Sequence, residues 1–398
     1  MTDDSRLTRR SVIRTGAAAA GVSALAGCLS EGDEGESPND DAAENGSTND
    51  DGAAGDGSSG TDEDESSGSY SVSMPPVGAV EFDAVPEAWA ANNGSWADMG
   101  IALGQSPPEA VYLASRYHTQ YYDEIPGVSV DKSDMTSLWE GELTPEKFMG
   151  LAEDVDVFVN DPNFILGRTS SWEQSDIDLI EKTGTPFFAN SIFSRGYDWH
   201  DYEYLSLYEA FEKLAEVFQQ RERYEAIASL HDEFQTTLSD VVPARNERPS
   251  VAVMWGTEAN MGEFSPYLID EGTSFKQWRD LGVVDAFAET DVRDFHSSRG
   301  AVGYETLLDI DPDVLLFRGN EAKTADEFRK TIVAALESDT TARKLTAVQN
   351  GDVYRGGPLY QGPITNLVVT ERAARQLYGV EKDLFDRQSV ADIVAGDH

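Results

Sequence analysis

The sequence predicts an α/β fold built as two lobes joined by a long helix. Three observations carry this. From residue 72 onward, short apolar runs alternate with helical patterns, which points to largely parallel sheets. One segment of each half matches the other without a gap: Glu146 to Val159 against Glu305 to Arg318. Between the halves, Tyr197 to Val242 contains neither glycine nor proline. About 320 folded residues are also long for one domain and comfortable for two.

The chain begins with an export pattern. Thr8-Arg9-Arg10-Ser11-Val12-Ile13 is a twin-arginine stretch, and the apolar run Gly16 to Ala26 behind it is too short to span a bilayer. The run ends in Leu25-Ala26-Gly27-Cys28, which resembles a lipobox. Residues 1–27 are expected to be a lipoprotein signal, with Cys28 the lipidation site. Cys28 is the only cysteine, so no disulfide is possible within the chain. From 28 to 71 the chain is read as a disordered acidic tether, because so polar a segment cannot bury enough apolar surface to offset its ordering entropy.

Charge narrows the partners. The whole chain carries −43; the first 28 residues carry +2 and residues 29–70 carry −14, leaving about −31 on the rest. So acidic a folded part excludes nucleic acid, whose phosphates require a basic face. It limits membrane contact to the lipid anchor. The dense carboxylate surface resembles the proteins of salt-loving archaea, where salt screens self-repulsion.

Strands are expected at Val72-Ser73, Ala88 to Ala91, Val111 to Ala114, Val155 to Val159 and Pro186 to Ala189 in an N-terminal lobe, 72–200. A C-terminal lobe, 249–390, would use Val251 to Trp255, Val314 to Phe317 and Asp352 to Tyr354. The connecting region 201–242 reads as two helices in series. Apolar residues recur at steps of three and four, from Tyr204 to Phe218 and from Tyr224 to Val241. The polar run Gln219 to Arg223 divides them. In the matched segments each glutamate opens a short amphipathic helix. An acidic turn follows, Asp154 opposite Asp313, and then a buried strand. Pro145 is a helix-start residue.

With these units in place, a resemblance emerges. Residues 72–390 resemble the substrate-binding proteins of ABC importers for ferric siderophores, vitamin B12 and haem. It rests on Leu307-Leu-Asp-Ile-Asp-Pro-Asp-Val-Leu-Leu-Phe317 with its first-half counterpart, and on Ala347-Val-Gln-Asn-Gly-Asp-Val-Tyr354. Asp98-Met-Gly-Ile-Ala-Leu-Gly104 looks like the family's first helix, and Ser274-Phe-Lys-Gln-Trp-Arg-Asp-Leu-Gly282 holds a similar place in the second half. The resemblance implies two Rossmann-like lobes joined by one long rigid helix, with a ligand cleft between the lobes. It implies a monomeric, non-enzymatic, lipid-anchored receptor on the outer face of the cell membrane. That receptor would pass a ferric chelate to an ABC permease and its ATPase; cobalamin, haem and a bare metal ion are the alternatives. Glu146 and Glu305 are the expected permease contacts.

Loops beyond the carboxyl ends of the strands are where a ligand would lie. They are rich in arginine and aromatics, which suit a wide, partly apolar, anionic chelate. The expected binding residues are Trp96, Arg116, Tyr117, Arg168, Phe193, Arg195, Tyr197, Trp199, Trp255, Arg299, Tyr304, Arg318 and Tyr360. No catalytic residue, cofactor or resident metal is expected, since GxSxG, HExxH and GxxxxGK[ST] are all absent from the sequence. His118, His200 and His296 are the histidines that a bare-metal reading would need. A surface scaffold or adhesion lipoprotein is the reading from another class; it would leave the duplicated lobes without a purpose.

Overall fold

Short apolar runs become strands where both faces can be buried. A computed structural model describes residues 68–197 and 199–397; the export pattern, Cys28 and most of the expected tether lie outside the described residues. The fold starts two residues earlier than the sequence suggested. Strands β1 (Tyr70–Met74) and β2 (Gly78–Phe82) form an antiparallel hairpin.

Strand β3 (Trp89–Ala91) leads into helix α1 (Gly94–Ala102), capped by the Asn93 side chain. The Trp89 ring packs on Gly100, where any Cβ would collide with it. Strand β4 (Ala110–Val111) stops short of the expected Ala114, which instead opens a 3₁₀ turn. Strand β5 (Thr136–Ser137), helix α2 (Pro145–Leu151) and strand β6 (Val157–Val159) follow, then helices α3 (Pro162–Arg168) and α4 (Gln174–Glu181). The first sheet has order β5-β4-β3-β6, all parallel; Phe187 adds a parallel bridge to Phe158 beyond β6.

Residues 201–206 are not helical. The expected pair of helices is α5 (Leu207–Val217) and α6 (Arg221–Ser239). Between them Gln219 takes a left-handed conformation, φ 51°, which ends one helix before the next begins. Helix α6 has 19 residues, hence about 28 Å of length. It packs against α5 and against α1 of the first half.

The second sheet is built from β7 (Ser250–Trp255), β8 (Ser265–Tyr267), β9 (Val284–Asp285), β10 (Val314–Arg318) and β11 (Val353–Arg355). Its order is β11-β10-β7-β8, with β9 also on β7; only β8 is antiparallel. Around it lie α7 (Lys276–Asp280), α8 (Phe295–Ser298), α9 (Tyr304–Ile310), α10 (Ala325–Phe328), α11 (Ala334–Ser338) and α12 (Thr346–Asn350). Helices α13 (Pro363–Tyr378) and α14 (Arg387–Ala395) close the chain.

The two sheets share one plan. The central strand, β3 or β7, has the strand after α2 or α9 on one side, and Phe187 or β11 extends that side. The gapless match runs on into the strands: Val159 and Arg318, matched in sequence, pair with the last strand residues Ala91 and Trp255. At the strand starts Val157 pairs with Trp89 and Val314 with Val251, so β6 is the shorter strand and its anchoring carboxylate is Asp156 where β10 uses Asp313. Asp156 accepts from the Glu87 and Ala88 N–H groups ahead of β3; Asp313 accepts from the Ser250 N–H at the start of β7.

Helix α6 is not the sole bridge. Helix α13 packs on α1 and on the 3₁₀ segment Thr119–Glu124 of the first half, and on α7 of the second. Buried Asp98 of α1 accepts from the Ile364 and Thr365 N–H groups at 2.9 and 3.1 Å, at the N-terminus of α13. Burial raises its pKa to about 6, against hydrogen bonds from Tyr122, Thr365 and Ile364 that lower it. A folded pKa above the unfolded one favours the fold most at pH below about 3.8. That stabilisation is lost as pH rises through about 6. Urea unfolding of wild type and Asp98→Asn between pH 4 and 7 should show this. The wild-type advantage is expected to shrink by about 2–3 kcal/mol over that window, whereas a pH-independent difference would contradict it.

Candidate functional site

Strand ends in both sheets point their loops at a common cleft of about 400 Å³. The first half contributes Tyr112, Leu113, Arg116, Trp139, Phe164, Arg168, Phe193 and Tyr197. The second contributes Trp255, Ser265, Tyr267, Phe295, His296, Arg299, Leu359 and Tyr360. No aspartate or glutamate among the described residues lines it, on a chain that has 73 of them.

Each guanidinium is carried on an aromatic ring. Arg116, in the turn after β4, lies 4.8 Å above the Trp255 ring and so joins the two sides. Arg168, at the end of α3, stands 6.0 Å from the Tyr197 ring. Arg299 caps α8 in a left-handed conformation, 5.2 Å from the Phe295 ring. None of the three has a carboxylate within 4.0 Å among the described residues. Burial pushes the Tyr197 hydroxyl up to about 12, while Arg168 and Arg299 pull it the other way. Burial likewise raises Tyr112 and Tyr360, opposed by Arg168 and Arg116 respectively. The tyrosines therefore stay neutral and the arginines set the charge.

Phe193 is the hub of the rings, edge-on to Phe164, Tyr197 and Tyr360 at 5.6–6.1 Å. His296 is fixed from behind: Nδ1 lies 3.2 Å from both Ser194 Oγ and Asp294 Oδ1. Burial raises Asp294, but the hydrogen bond and charge of His296 outweigh it and leave the carboxyl below its ordinary range.

Of the residues expected from sequence, Arg116, Arg168, Phe193, Tyr197, Trp255, Arg299 and Tyr360 line the cleft. Six do not. Trp96 is buried inside α1, in the core. Tyr117 is buried, its hydroxyl bonded to that of Tyr122 at 2.8 Å. Arg195 pairs with Glu271 and covers Tyr204. Trp199 backs the cleft, stacked on Tyr197 at 5.0 Å and against Gly167. Tyr304 packs on Gly262 and Phe264. Arg318 is buried beneath Tyr267. Physically, each of these side chains finds an apolar or polar partner away from the cleft, and Arg195 finds its carboxylate in the opposite half.

Sequence reasoning missed Tyr112, Trp139 and Tyr267. Tyr112 directly follows a strand and could have been found. Trp139 follows the two-residue β5 and Tyr267 ends the three-residue β8, strands too short to register as a pattern.

The three histidines of the bare-metal reading do not assemble. His118 and His200 are each lowered to about 4, chiefly by burial, and His296 is held by Asp294. Among the described residues no group of three His, Cys, Asp or Glu side chains could hold a metal ion. Glu146 and Glu305 are both exposed in the first turns of α2 and α9. A larger groove of about 890 Å³ lies between α6 and α14, away from the strand ends, with Glu233, Asp383, Asp386 and Asp392 along it. Its acidic rim suits no anionic cargo.

The sequence pattern of the periplasmic binding protein family matches residues 161–359. No curated protein matches the chain in sequence. The fold is similar to that of a periplasmic binding protein from Veillonella parvula, with TM-score 0.54 and 14% identity, over 79% of this chain and 99% of that one. It is similar to the petrobactin-binding protein YclQ from Bacillus subtilis, with TM-score 0.53, 15% identity and the same coverage. It is also similar to an ABC-type Fe3+-hydroxamate transport protein from Saccharomonospora viridis, with TM-score 0.50 and 19% identity, over 78% and 99% of the two chains.

Proposed function

This chain belongs to the periplasmic binding protein family, and from that premise we propose that it captures an anionic ferric chelate of the siderophore type for an ABC importer. The observation that carries the reading is the charge of the cleft. Three guanidinium groups and a ring of aromatics meet where no described carboxylate intrudes, on a chain of net charge −43. Guanidinium forks pair with carboxylate, hydroxamate or catecholate oxygens, and flat rings cover the apolar parts of such a cargo. Two of the fold's relatives carry names that denote ferric chelates, petrobactin and Fe3+-hydroxamate.

In this reading the protein is an extracytoplasmic receptor and performs no chemistry on its cargo. Cys28 carries the lipid, and the acidic segment holds the folded part away from the membrane. Glu146 and Glu305, one exposed on each half, meet basic residues of the permease; the ATPase acts on the far side of the membrane. The receptor works as a monomer.

Trp139 and Trp255 stand in the cleft, so indole fluorescence reports on occupancy. The full chain in molar salt is titrated in parallel with a ferric hydroxamate, a ferric catecholate, haem and cobalamin. Saturable one-to-one quenching by a ferric chelate is the expected result. Quenching by haem or cobalamin alone would replace the cargo class, and no response to any of them would overturn the reading.

A further inference from the structure

Arg318 ends β10 at the edge where the cleft opens, paired in the sheet with Trp255. Its side chain is nevertheless fully buried. The guanidinium lies between two rings, 4.4 Å from Phe275 and 5.3 Å from Tyr267. Tyr267 itself lines the cleft, so one ring separates this cation from the cargo space. Nη2 donates to the Ser274 carbonyl. Nε and Nη1 have no hydrogen-bond partner among the described residues, and no described carboxylate lies within 4.0 Å.

The carboxylates that act on Arg318 from a distance are already engaged. Asp270 accepts from the Arg195 and Gly272 N–H groups. Asp294 accepts from the Leu268 and His296 N–H groups. Glu321 is ion-paired with Arg372 at 3.0 Å. Deprotonation offers no escape: burial lowers Arg318 to about 10, still charged at neutral pH.

The surroundings are rich in spare donors. Ser274 Oγ, Thr273 Oγ1 and Gln277 Nε2 are buried and unpartnered among the described residues. They belong to one short segment, knit together by Gln361, whose amide donates to the Ser274 carbonyl at 3.2 Å and to Gln277 Oε1 at 2.6 Å. A buried charge requires a countercharge, and buried donors require an acceptor. Water supplies an acceptor without the charge.

We propose that Arg318 holds one small monovalent anion, chloride in a chloride medium, on its Nε and Nη1 side with the Ser274 hydroxyl as a further donor. The site lies beneath the cleft floor, separate from the cargo, and does not depend on what the cargo is. The ion neutralises the guanidinium directly beneath the cleft floor, so the positive charge that the ligand meets is that of the three arginines lining the cleft.

Crystals of the full chain grown in sodium bromide without cargo test this by anomalous scattering at the bromine edge. One bromide peak within hydrogen-bonding reach of Arg318 Nε or Nη1 is expected. Water density there, or bromide confined to the open cleft, overturns the proposal. In solution, chloride is exchanged for gluconate at constant sodium and ionic strength. Gluconate is too large to be enclosed, so the wild-type Tm should fall by a few degrees. Arg318→Met should show no such dependence. Equal responses of the two proteins contradict the site; should the variant not fold, the bromide peak alone decides.

Discussion

Replacing Arg116 with alanine is expected to weaken cargo binding by roughly 30- to 1,000-fold, the range of a central interface residue. The side chain lies across the cleft, its guanidinium on the Trp255 ring of the opposite half. Its loss removes a positive charge from a site without opposing carboxylates. It also uncovers Trp255 and withdraws the group that opposes the rise of the Tyr360 hydroxyl. Titration of the variant at fixed salt measures the loss. Arg195→Ala is the control: that side chain is exposed, paired with Glu271 and outside the cleft. It should leave affinity within about twofold, the small effect typical of an exposed pair. Wild-type affinity in Arg116→Ala, or equal losses in both variants, would place the binding site elsewhere.

The second large effect concerns stability. Glu321→Ala should cost about 3–5 kcal/mol, because it leaves a buried cation unpaired. Glu321 receives Arg372 of α13 at 3.0 Å, the Tyr121 hydroxyl and the Gly357 N–H at 2.9 Å. Burial raises its pKa, but the charge of Arg372 and the hydrogen bond from Tyr121 prevail and leave it lowered. A folded pKa below the unfolded one contributes stability at pH above about 4.5, lost as pH falls through the folded value. Urea unfolding at pH 7 gives the size of the effect, and a double-mutant cycle with Arg372→Ala separates the pair from its surroundings. A loss below about 1 kcal/mol would mean the pair behaves like an exposed salt bridge.

Much of this architecture was legible because buried parallel strands must be short continuous apolar runs. Val251 to Trp255 and Val314 to Phe317 read as strands for that reason, and they are the central pair of the second sheet. The interruption at Gln219 was legible as polarity, though not its left-handed backbone. Edge strands such as β5 and β8 are too brief to carry a pattern, and their pairing is decided by neighbours distant in sequence. The same limit governs the site. A loop aromatic reads alike whether it faces a cleft or the core, so Tyr197 and Tyr117 were indistinguishable until the structure separated them. Arginine was a better guide where it had no acidic neighbour, as with Arg116, than where Glu271 stood ready for Arg195.

Helix α13 belongs by sequence to the second half, yet its first turn is bonded to Asp98 of α1, and its Arg372 joins Glu321 to Tyr121. Neither sheet can lose its neighbours without stripping partners from the other. The duplication seen in the strand order is thus a repetition of pattern and not of folding unit: melting is expected as a single cooperative event, and a fragment ending after α6 lacks the Ile364 and Thr365 N–H groups that its own buried Asp98 binds.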